Sequence, residues 1–271
     1  MDLTTIESAT VVERAEANAW AEIMAASPPE FAAEHSIATW GVESGVGFEF
    51  NNPPNPFFNR FHGFGVLTRS DAETLSLAVA PWAGTARTFV VHGVPDHVAP
   101  GLSEVLKGAG LSPSRNWVKM IRGTEAPPDI RSELRIEEVG PEAREAFGAI
   151  AATAFELEGA AALLAGVVGR PGWHTYLAYD GSTPVATGYL RVEDQVGWLG
   201  SGSTLTSHRG RGAQGAIMTR RIADGIKLGC RHLATETGEE TPEAPNPSYR
   251  NMIRTGFELV YARRNWIGTA A

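Results

Sequence analysis

The pattern of apolar and polar positions predicts helices and short strands that alternate along the whole chain. The first half begins with an Ala/Glu-rich helix. The segment 51–56 cannot be helical, because its three prolines also restrict the residues before them. The predicted helices of this half cover 6–24, 70–81 and 98–110, and the predicted strands cover 36–42, 46–50, 57–67, 87–94 and 116–122. The helix at 70 is expected to begin at a capping box, with Ser70 as the cap and Glu73 three residues later.

The second half has the predicted order β-α-α-β-β-β-loop-α-β-α-β. Its strands are expected at 134–139, 174–179, 185–192, 195–204, 232–237 and 257–266, and its helices at 141–155, 158–168, 212–229 and 247–255. Asp180 and Gly181 mark a hairpin turn between the second and third of these strands. The fold class predicted from this order is α/β in the broad sense (α+β), with a mixed sheet flanked by helices.

The segment 123–129 is the best candidate for a linker, because Pro127 and Pro128 end any regular element there. We therefore predict one domain at 1–126 and a second at 130–271. The first half ends in the order strand, helix, strand, helix, strand, which resembles part of the second half. This is a weak internal repeat of elements and not of residues.

Composition and charge exclude several classes of protein. The 271 residues carry a formal net charge of −8 and a pI near 5.4, with no Lys/Arg run, so nucleic acid is not an expected partner. The chain has one cysteine, Cys230, and seven histidines without a close His or Cys partner in sequence, so no metal site is expected. No apolar run of about 18 residues predicts a membrane span. The acidic residues near the start do not fit a signal peptide, and we expect a cytoplasmic protein.

A loop rich in glycine and arginine, at 208–216, is the most informative stretch of the sequence. It has three glycines and two arginines where a predicted strand ends and a predicted helix begins. Glycine lets the backbone approach a ligand closely, and the first amides of a helix attract an anion. Arg209 and Arg211 would add charged hydrogen bonds. The loop alone fits a phosphate site and an ordinary turn with solvated arginines about equally well.

Several residues together give the second half a resemblance to the GNAT N-acetyltransferase superfamily. Residues 209–213 fit that family's Arg/Gln-x-x-Gly-x-Gly/Ala signature for acyl-CoA, and Gln214 departs from it at the last position. Ser248-Tyr249-Arg250-Asn251 opens a short helix, Gly256-Phe257 precedes the last strand, and Trp266 ends it. The resemblance implies a mixed, mostly antiparallel GNAT-type sheet. For the first half it rests on element order alone and implies a degenerate GNAT-like domain, as in tandem members of the family.

The resemblance also implies which residues hold acetyl-CoA, the donor substrate. Main-chain groups beside a splayed strand would bind the pantetheine arm, the loop would bind the pyrophosphate, and two residues at the following helix would contact the lower arm. The residues for the pantetheine arm are Ser203, Thr204, Leu205 and Thr206. Those for the pyrophosphate are Arg209, Gly210, Arg211, Gly212, Ala213, Gln214 and Gly215. Those for the lower arm are Asn246 and Ser248. The side chain of Gln214 is expected to point away from the phosphate. For Asn246 and Ser248 a simple helix cap is an equal alternative.

Catalysis of amine acetylation needs a base and a group that helps the thiolate leave. Glu236 matches a position where family members often carry an acid, and it is our candidate base; the alternative is an outward-facing strand residue. The family's usual tyrosine is replaced by Met252. Tyr249 and Tyr261 are the substitute candidates, with packing or capping as the alternative role.

The sequence therefore predicts an acyl-CoA-dependent N-acetyltransferase that moves an acetyl group directly to a small-molecule primary amine. Two alternatives stay open: a non-catalytic CoA-binding or scaffold protein, favoured by Met252, and transfer of a longer acyl group. The aromatic segment 51–64 either lines the acceptor pocket at the domain interface or covers the core. The identity of the acceptor and the oligomeric state, a homodimer included, stay open.

Overall fold

The structure is a computed structural model that describes residues 3–51, 53, 55–130 and 132–269. Residues 52 and 54 of the proline-rich segment lie outside the described residues, as do 1–2, 131 and 270–271 of the two predicted domains. None of the described helices is long and apolar enough to cross a membrane.

Apart from α2, which was not predicted, and the split of the strand predicted at 195–204, the helices and strands follow the predicted order. In the first half they are α1 Thr5–Ala25, α2 Pro29–Glu34, β1 Ala38–Val42, β2 Gly45–Glu49, β3 Arg60–Phe64, α3 Ala72–Val79, β4 Thr88–Gly93, α4 Leu102–Gly108 and β5 Ser112–Arg122. In the second half they are β6 Arg135–Val139, α5 Arg144–Phe155, α6 Ala161–Ala165, β7 Trp173–Asp180, β8 Thr183–Glu193, β9 Val196–Trp198, β10 Ser203–Thr204, α7 Ala213–Lys227, β11 His232–Gly238, α8 Pro247–Arg254 and β12 Glu258–Thr269.

Three boundaries in the first half differ from the prediction for local reasons. The cap of α3 is Asp71, whose carboxylate accepts the Thr74 amide at 2.8 Å, so the capping box predicted at Ser70 is wrong by one residue. Helix α4 begins only after Gly101, whose φ of +80° interrupts the helix predicted from 98. Strand β3 is shorter than the predicted 57–67, because Pro56–Phe58 forms a 3-10 turn before it.

All the strands belong to one sheet, in the order β1-β2-β3-β4-β12-β5-β11-β9-β8-β7-β6, with β10 attached to β8 alone. Most neighbours are antiparallel, and the pairs β3–β4 and β9–β11 are parallel. The mixed, mostly antiparallel sheet predicted from the sequence is confirmed.

The two halves exchange strands at the centre of this sheet. Strand β12, from the end of the chain, lies between β4 and β5, and β5 in turn lies between β12 and β11. This places Lys119 of β5 directly opposite Glu236 of β11. Residues directly opposite on neighbouring strands point to the same face. The domain boundary near 126 stays a prediction about sequence segments, and the sheet itself is continuous across it.

Helix α1 lies against the central strands of both halves. It begins at a capping box, in which Thr4 accepts the Glu7 amide and Glu7 accepts the Thr4 amide. It contacts β2, β3 and β5 as well as β9, β11 and β12. Two of its glutamates, Glu13 and Glu16, are buried against the sheet. Because a buried carboxylate needs a partner, the position of α1 determines where the sheet must supply cations.

The strand predicted at 195–204 is interrupted, and the interruption opens the sheet. Strand β9 pairs with β11 as far as Trp198, and the Leu199 amide still donates to the Ala234 carbonyl at 2.8 Å. Strand β9 also pairs with β8 on its other side, and β10 keeps that pairing but makes none with β11, which continues beside β5 alone. A wedge-shaped gap therefore separates Gly200–Gly202 from the end of β11. Sheets normally close such gaps with hydrogen bonds, so a gap of this kind invites a ligand.

Candidate active site

A cavity of about 320 Å³ begins at this gap and runs beneath α1 toward the first half of the chain. At the gap it is lined by Gly200–Gly202, by Thr235 and Glu236 of β11 and by Ser248 of α8. At the other end its lining comes from the first half, with aromatic side chains around buried polar ones. The cavity thus joins the splayed strands to the interface between the halves.

Glu236, the predicted base, lies in the wall of this cavity. Its carboxylate accepts the Trp198 indole N–H at 3.0 Å and the Lys119 ammonium at 3.3 Å, and its side chain is 7% exposed. Burial raises the pKa of Glu236 to about 7, and the nearby charge of Glu16 adds to the rise. A carboxyl with a pKa near neutrality can accept and return a proton at physiological pH.

Lys119 is shared between two glutamates, and the closer one holds it. Its ammonium lies 2.7 Å from Glu16 Oε2. Arg263 approaches the same carboxylate at 2.5 Å and Glu13 at 2.8 Å. Burial disfavours the charge on Glu16, but Arg263 and Lys119 outweigh it and hold its pKa well below the ordinary value. Glu16 therefore stays ionised, whereas the raised pKa of Glu236 lets that carboxyl exchange a proton near neutral pH.

Two histidines of the first half lie next to Glu16, and one of them, His92, lines the cavity. His62 Nδ1 lies 3.3 Å from His92 Nδ1, and the ligand-type atoms of both residues and Glu16 lie within 4.8 Å of one another. Burial lowers the pKa of His62 to about 3 and that of His92 well below its ordinary value, so both are neutral. The sequence did not predict this grouping. It suits a metal poorly, because Lys119 and Arg263 already occupy the Glu16 carboxylate and would repel another cation.

The Gly/Arg loop leads into α7 as the sequence predicts. Gly210 and Gly212 have φ values of +80° and +79°, and Gly212 caps the helix with no side chain on its first amides. Arg211 pairs with Asp180 at 2.6 Å and is about one-third exposed. Among the described residues, Arg209 makes only long contacts, at 3.4 and 3.5 Å, to two carbonyl groups. The first turn of α7 and Arg209 therefore have hydrogen-bonding capacity to spare for an anion.

The side chain of Gln214 is turned toward β10, and its expected direction away from the phosphate stays a prediction. Its amide nitrogen donates to the Ser203 carbonyl at 2.6 Å and to Thr204 Oγ1 at 3.1 Å, and the residue lines the cavity. The glutamine thereby ties the first turn of α7 to β10 with hydrogen bonds that a glycine or alanine could not make.

The four residues predicted to hold the pantetheine arm, 203–206, do not share one structural setting. Ser203 and Thr204 form β10, but the amide of Leu205 already donates to Val185 at 3.0 Å, and Thr206 starts an exposed 3-10 turn. None of these four lies in the lining of the cavity. Gly200–Gly202 line it instead, and the structure records no hydrogen bond from their amides to other described residues. Contacts of 203–206 with a ligand stay a prediction.

Helix α8 turns one face to the cavity and the other to the core. Asn246 caps the helix, accepting the Ser248 amide at 3.0 Å, and donates to the Gly238 carbonyl at 2.6 Å, so its side chain is fully engaged. Ser248 and Met252 line the cavity. Tyr249 packs against the core beneath α7 and is absent from the cavity lining, so the structure does not bring it to Glu236.

Tyr261 is also placed away from the cavity. Its hydroxyl donates to Glu13 at 2.9 Å, and burial raises its pKa well above the ordinary value. Among the described residues, the tyrosine that does line the cavity is Tyr189, whose hydroxyl donates to the Leu164 carbonyl. Both hydroxyls are committed to buried acceptors, so the geometry gives neither a role at the reacting atoms.

The aromatic segment 51–64 does reach the cavity. Asn55, Phe57, Phe58 and Arg60 line its far end, together with Trp20 of α1. The sequence raised this position as one of two alternatives, but it did not predict that α1 and β5 would contribute Glu16 and Lys119. The signal available for that was Glu13 and Glu16, which lie three residues apart and so share one face of the helix.

Solved structures with the same fold are known. A GCN5-related N-acetyltransferase from Kribbella flavida is 19% identical, covers 96% of both chains and has a TM-score of 0.64. A tandem GNAT protein from the clavulanic acid biosynthesis pathway is 14% identical, with 84% of this chain and 78% of that one covered and a TM-score of 0.58. A GCN5-related N-acetyltransferase from Sphaerobacter thermophilus is 16% identical over 83% of this chain and 80% of that one, with a TM-score of 0.57.

The sequence itself matches no family model and no curated protein. The chain has the fold of the GCN5-related N-acetyltransferases. The resemblance to the GNAT superfamily predicted from residues 209–213 and from the order of elements is thus confirmed at the level of the fold.

Proposed function

We propose that this protein transfers an acyl group, acetyl from acetyl-CoA, directly to a primary amine. The observation that carries the proposal is Glu236, a buried carboxylate with a pKa near 7 in the wall of a cavity that opens at splayed strands. An ammonium has no lone pair for attack, so a base of this kind is what amine acylation requires. The fold, shared with known N-acetyltransferases, supports the same reaction.

Each part of the cavity has a role in the proposed reaction. The pyrophosphate of the donor binds the first turn of α7 and Arg209, and its thioester lies in the gap beside Gly200–Gly202, whose amides polarise the carbonyl. Glu236, directly or through a water, removes a proton from the ammonium. The amine nitrogen then bonds to the carbonyl carbon, the C–S bond breaks, and the thiolate keeps its electron pair. A second proton leaves the nitrogen, and the thiolate takes one up.

Binding of the donor is tested by calorimetry with acetyl-CoA. Arg209→Ala should weaken binding at least about tenfold, the loss of one charged hydrogen bond, whereas Arg14→Ala, at an exposed arginine of α1, should not. Arg211→Ala should weaken it less, because Arg211 is already paired with Asp180. Unchanged affinity in Arg209→Ala would contradict the assignment of the loop.

A second function, CoA binding without catalysis, is favoured by Met252, which lines the cavity where a tyrosine would serve the leaving thiolate. The two functions separate in one assay. Thiol release from acetyl-CoA that depends on an added amine supports transfer. Tight binding of acetyl-CoA with no amine-dependent release across a broad panel supports the non-catalytic function.

A further inference from the structure

The far end of the cavity contains a buried arginine that forms no ion pair with any described residue. Arg60 is 9% exposed, and its guanidinium lies over the Trp20 ring at 4.0 Å from the ring centre. Its Nε and Nη2 are fully buried and make no hydrogen bond, and no carboxylate of the described residues lies within ion-pair distance. Burial lowers its pKa only to about 10, so the side chain is charged at neutral pH. A buried charge without a counter-ion is strongly unfavourable.

The two neighbouring cations, unlike Arg60, have carboxylate partners. Lys119 and Arg263 each contact a glutamate of α1. Arg221, which also lines the cavity, has no carboxylate partner but donates to the Tyr189 and Gly200 carbonyls. Arg115, another lining residue, is exposed to solvent. Among the described residues of the lining, Arg60 is therefore the buried cation that has neither an ion pair nor a hydrogen bond from its guanidinium.

Asn265 lies in the same cavity lining, is 1% exposed, and leaves both its amide nitrogen and its amide oxygen without a partner. A guanidinium and a carboxamide that are both unsatisfied and both line one cavity are groups that can bind an anion there.

The remaining walls at this end are aromatic. Phe57, Phe58 and Trp117 line the cavity beside Trp20. Such walls accept an apolar or aromatic body and exclude water, which strengthens an ion pair formed there. The charge of one guanidinium matches a single carboxylate. A phosphate dianion would bring a surplus negative charge toward Glu16 and Glu236, both of which interact electrostatically with Arg60.

We propose that the acceptor is an amine that also carries a carboxylate, an apolar amino acid in its simplest form, and that Arg60 and Asn265 bind that carboxylate. This inference rests on the proposed function for the amine end, where Glu236 takes the proton. The two ends of one cavity then recognise the two ends of one molecule: a base faces the ammonium and a guanidinium faces the carboxylate.

The test is a matched series of amines, with thiol release measured at saturating acetyl-CoA. Phenylalanine is compared with 2-phenylethylamine and with phenylalaninamide, which bracket the basicity of its amine but lack the carboxylate; tryptophan and leucine are treated in the same way. We expect kcat/KM for the better amino acids to exceed that of both counterparts at least about tenfold. Arg60→Met should abolish the preference, mainly by raising KM, and Arg60→Lys should restore part of it. Arg14→Met, at an exposed arginine, should keep it.

Other outcomes separate this inference from the proposed function. Turnover of amines with no preference for the carboxylate in any pair, or a preference that survives in Arg60→Met, overturns the anion site and leaves acyl transfer intact. If no amine is turned over, calorimetry with the same amino acids decides: binding lost in Arg60→Met supports the anion site alone, and no binding to the wild type overturns it. Without ligand, Arg60→Met should unfold at the same temperature as the wild type or higher, because no hydrogen bond is lost.

Discussion

Replacing Glu236 with glutamine should change how stability depends on pH. As the pH rises, the difference in unfolding free energy between the variant and wild type should shift in favour of the variant. Glutamine keeps the shape of the side chain and an oxygen for the Trp198 indole, which donates to it at 3.0 Å. It removes the carboxyl whose ionisation is opposed by burial and by Glu16. Lys119 keeps its closer partner, Glu16, at 2.7 Å, so the substitution leaves no buried cation unpaired.

The magnitude follows from the two pKa values of Glu236, an ordinary 4.5 in the unfolded chain and about 7 in the fold. Because the folded value is raised, the native state holds this proton longer, and stability falls as pH rises. The contribution is fully present below 4.5 and is lost as the pH rises through 7. Between about pH 5.5 and about pH 8.5, wild type therefore loses about 2 kcal/mol of unfolding free energy through this carboxyl. The variant has no carboxyl at this position and does not lose it.

Urea unfolding at several pH values measures this directly. The difference in unfolding free energy between Glu236→Gln and wild type should grow by about 2 kcal/mol over that range. Glu243→Gln, at an exposed glutamate of the following loop, is the control and should follow wild type throughout. Parallel curves for Glu236→Gln and wild type would refute the raised pKa, and with it the physical basis for the base.

Three further predictions concern the network, the loop and the base. Arg263→Met leaves two buried glutamates without their shared guanidinium, and should lower the unfolding free energy by about 3–5 kcal/mol in urea titrations; a loss under 1 kcal/mol would contradict the importance of these pairs. Gly212→Ala forces a side chain into φ +79°, and should cost about 1 kcal/mol of stability and weaken acetyl-CoA binding in calorimetry; full affinity would count against the loop. Trp198→Phe removes a hydrogen bond that lowers the pKa of Glu236. The rising limb of the pH–rate profile should therefore move to higher pH, and an unchanged profile would show that the indole does not contact the carboxylate.

The order of elements and the Gly/Arg loop were predictable because both depend on local pattern. Periodicity and turn residues are read within a window of about ten to twenty residues. The same is true of Gly210 and Gly212, whose positive φ values a sequence of glycines permits. The gap after Leu199 was not visible in the sequence, because 195–204 is continuous in composition and only the end of the pairing with β11 reveals the break.

The surroundings of Glu236 depend on contacts that no local pattern encodes. Lys119 lies 117 positions away in sequence and reaches Glu236 because β5 is inserted between β12 and β11. Arg60 reaches the cavity through a similar long-range arrangement. Sequence reasoning identified Glu236 from its resemblance to a family position, but its raised pKa is a property of the folded interface between the halves.

The most direct test of the central claim is amine-dependent thiol release from acetyl-CoA by wild type and by Glu236→Gln, measured across pH with an accepted amine. We expect wild-type kcat/KM to rise with pH through a step near 7 that reflects Glu236. The variant should lose at least about a hundredfold in rate and lack that step, while its affinity for acetyl-CoA should be unchanged. Wild-type rates in the variant, with the same pH profile, would contradict the claim.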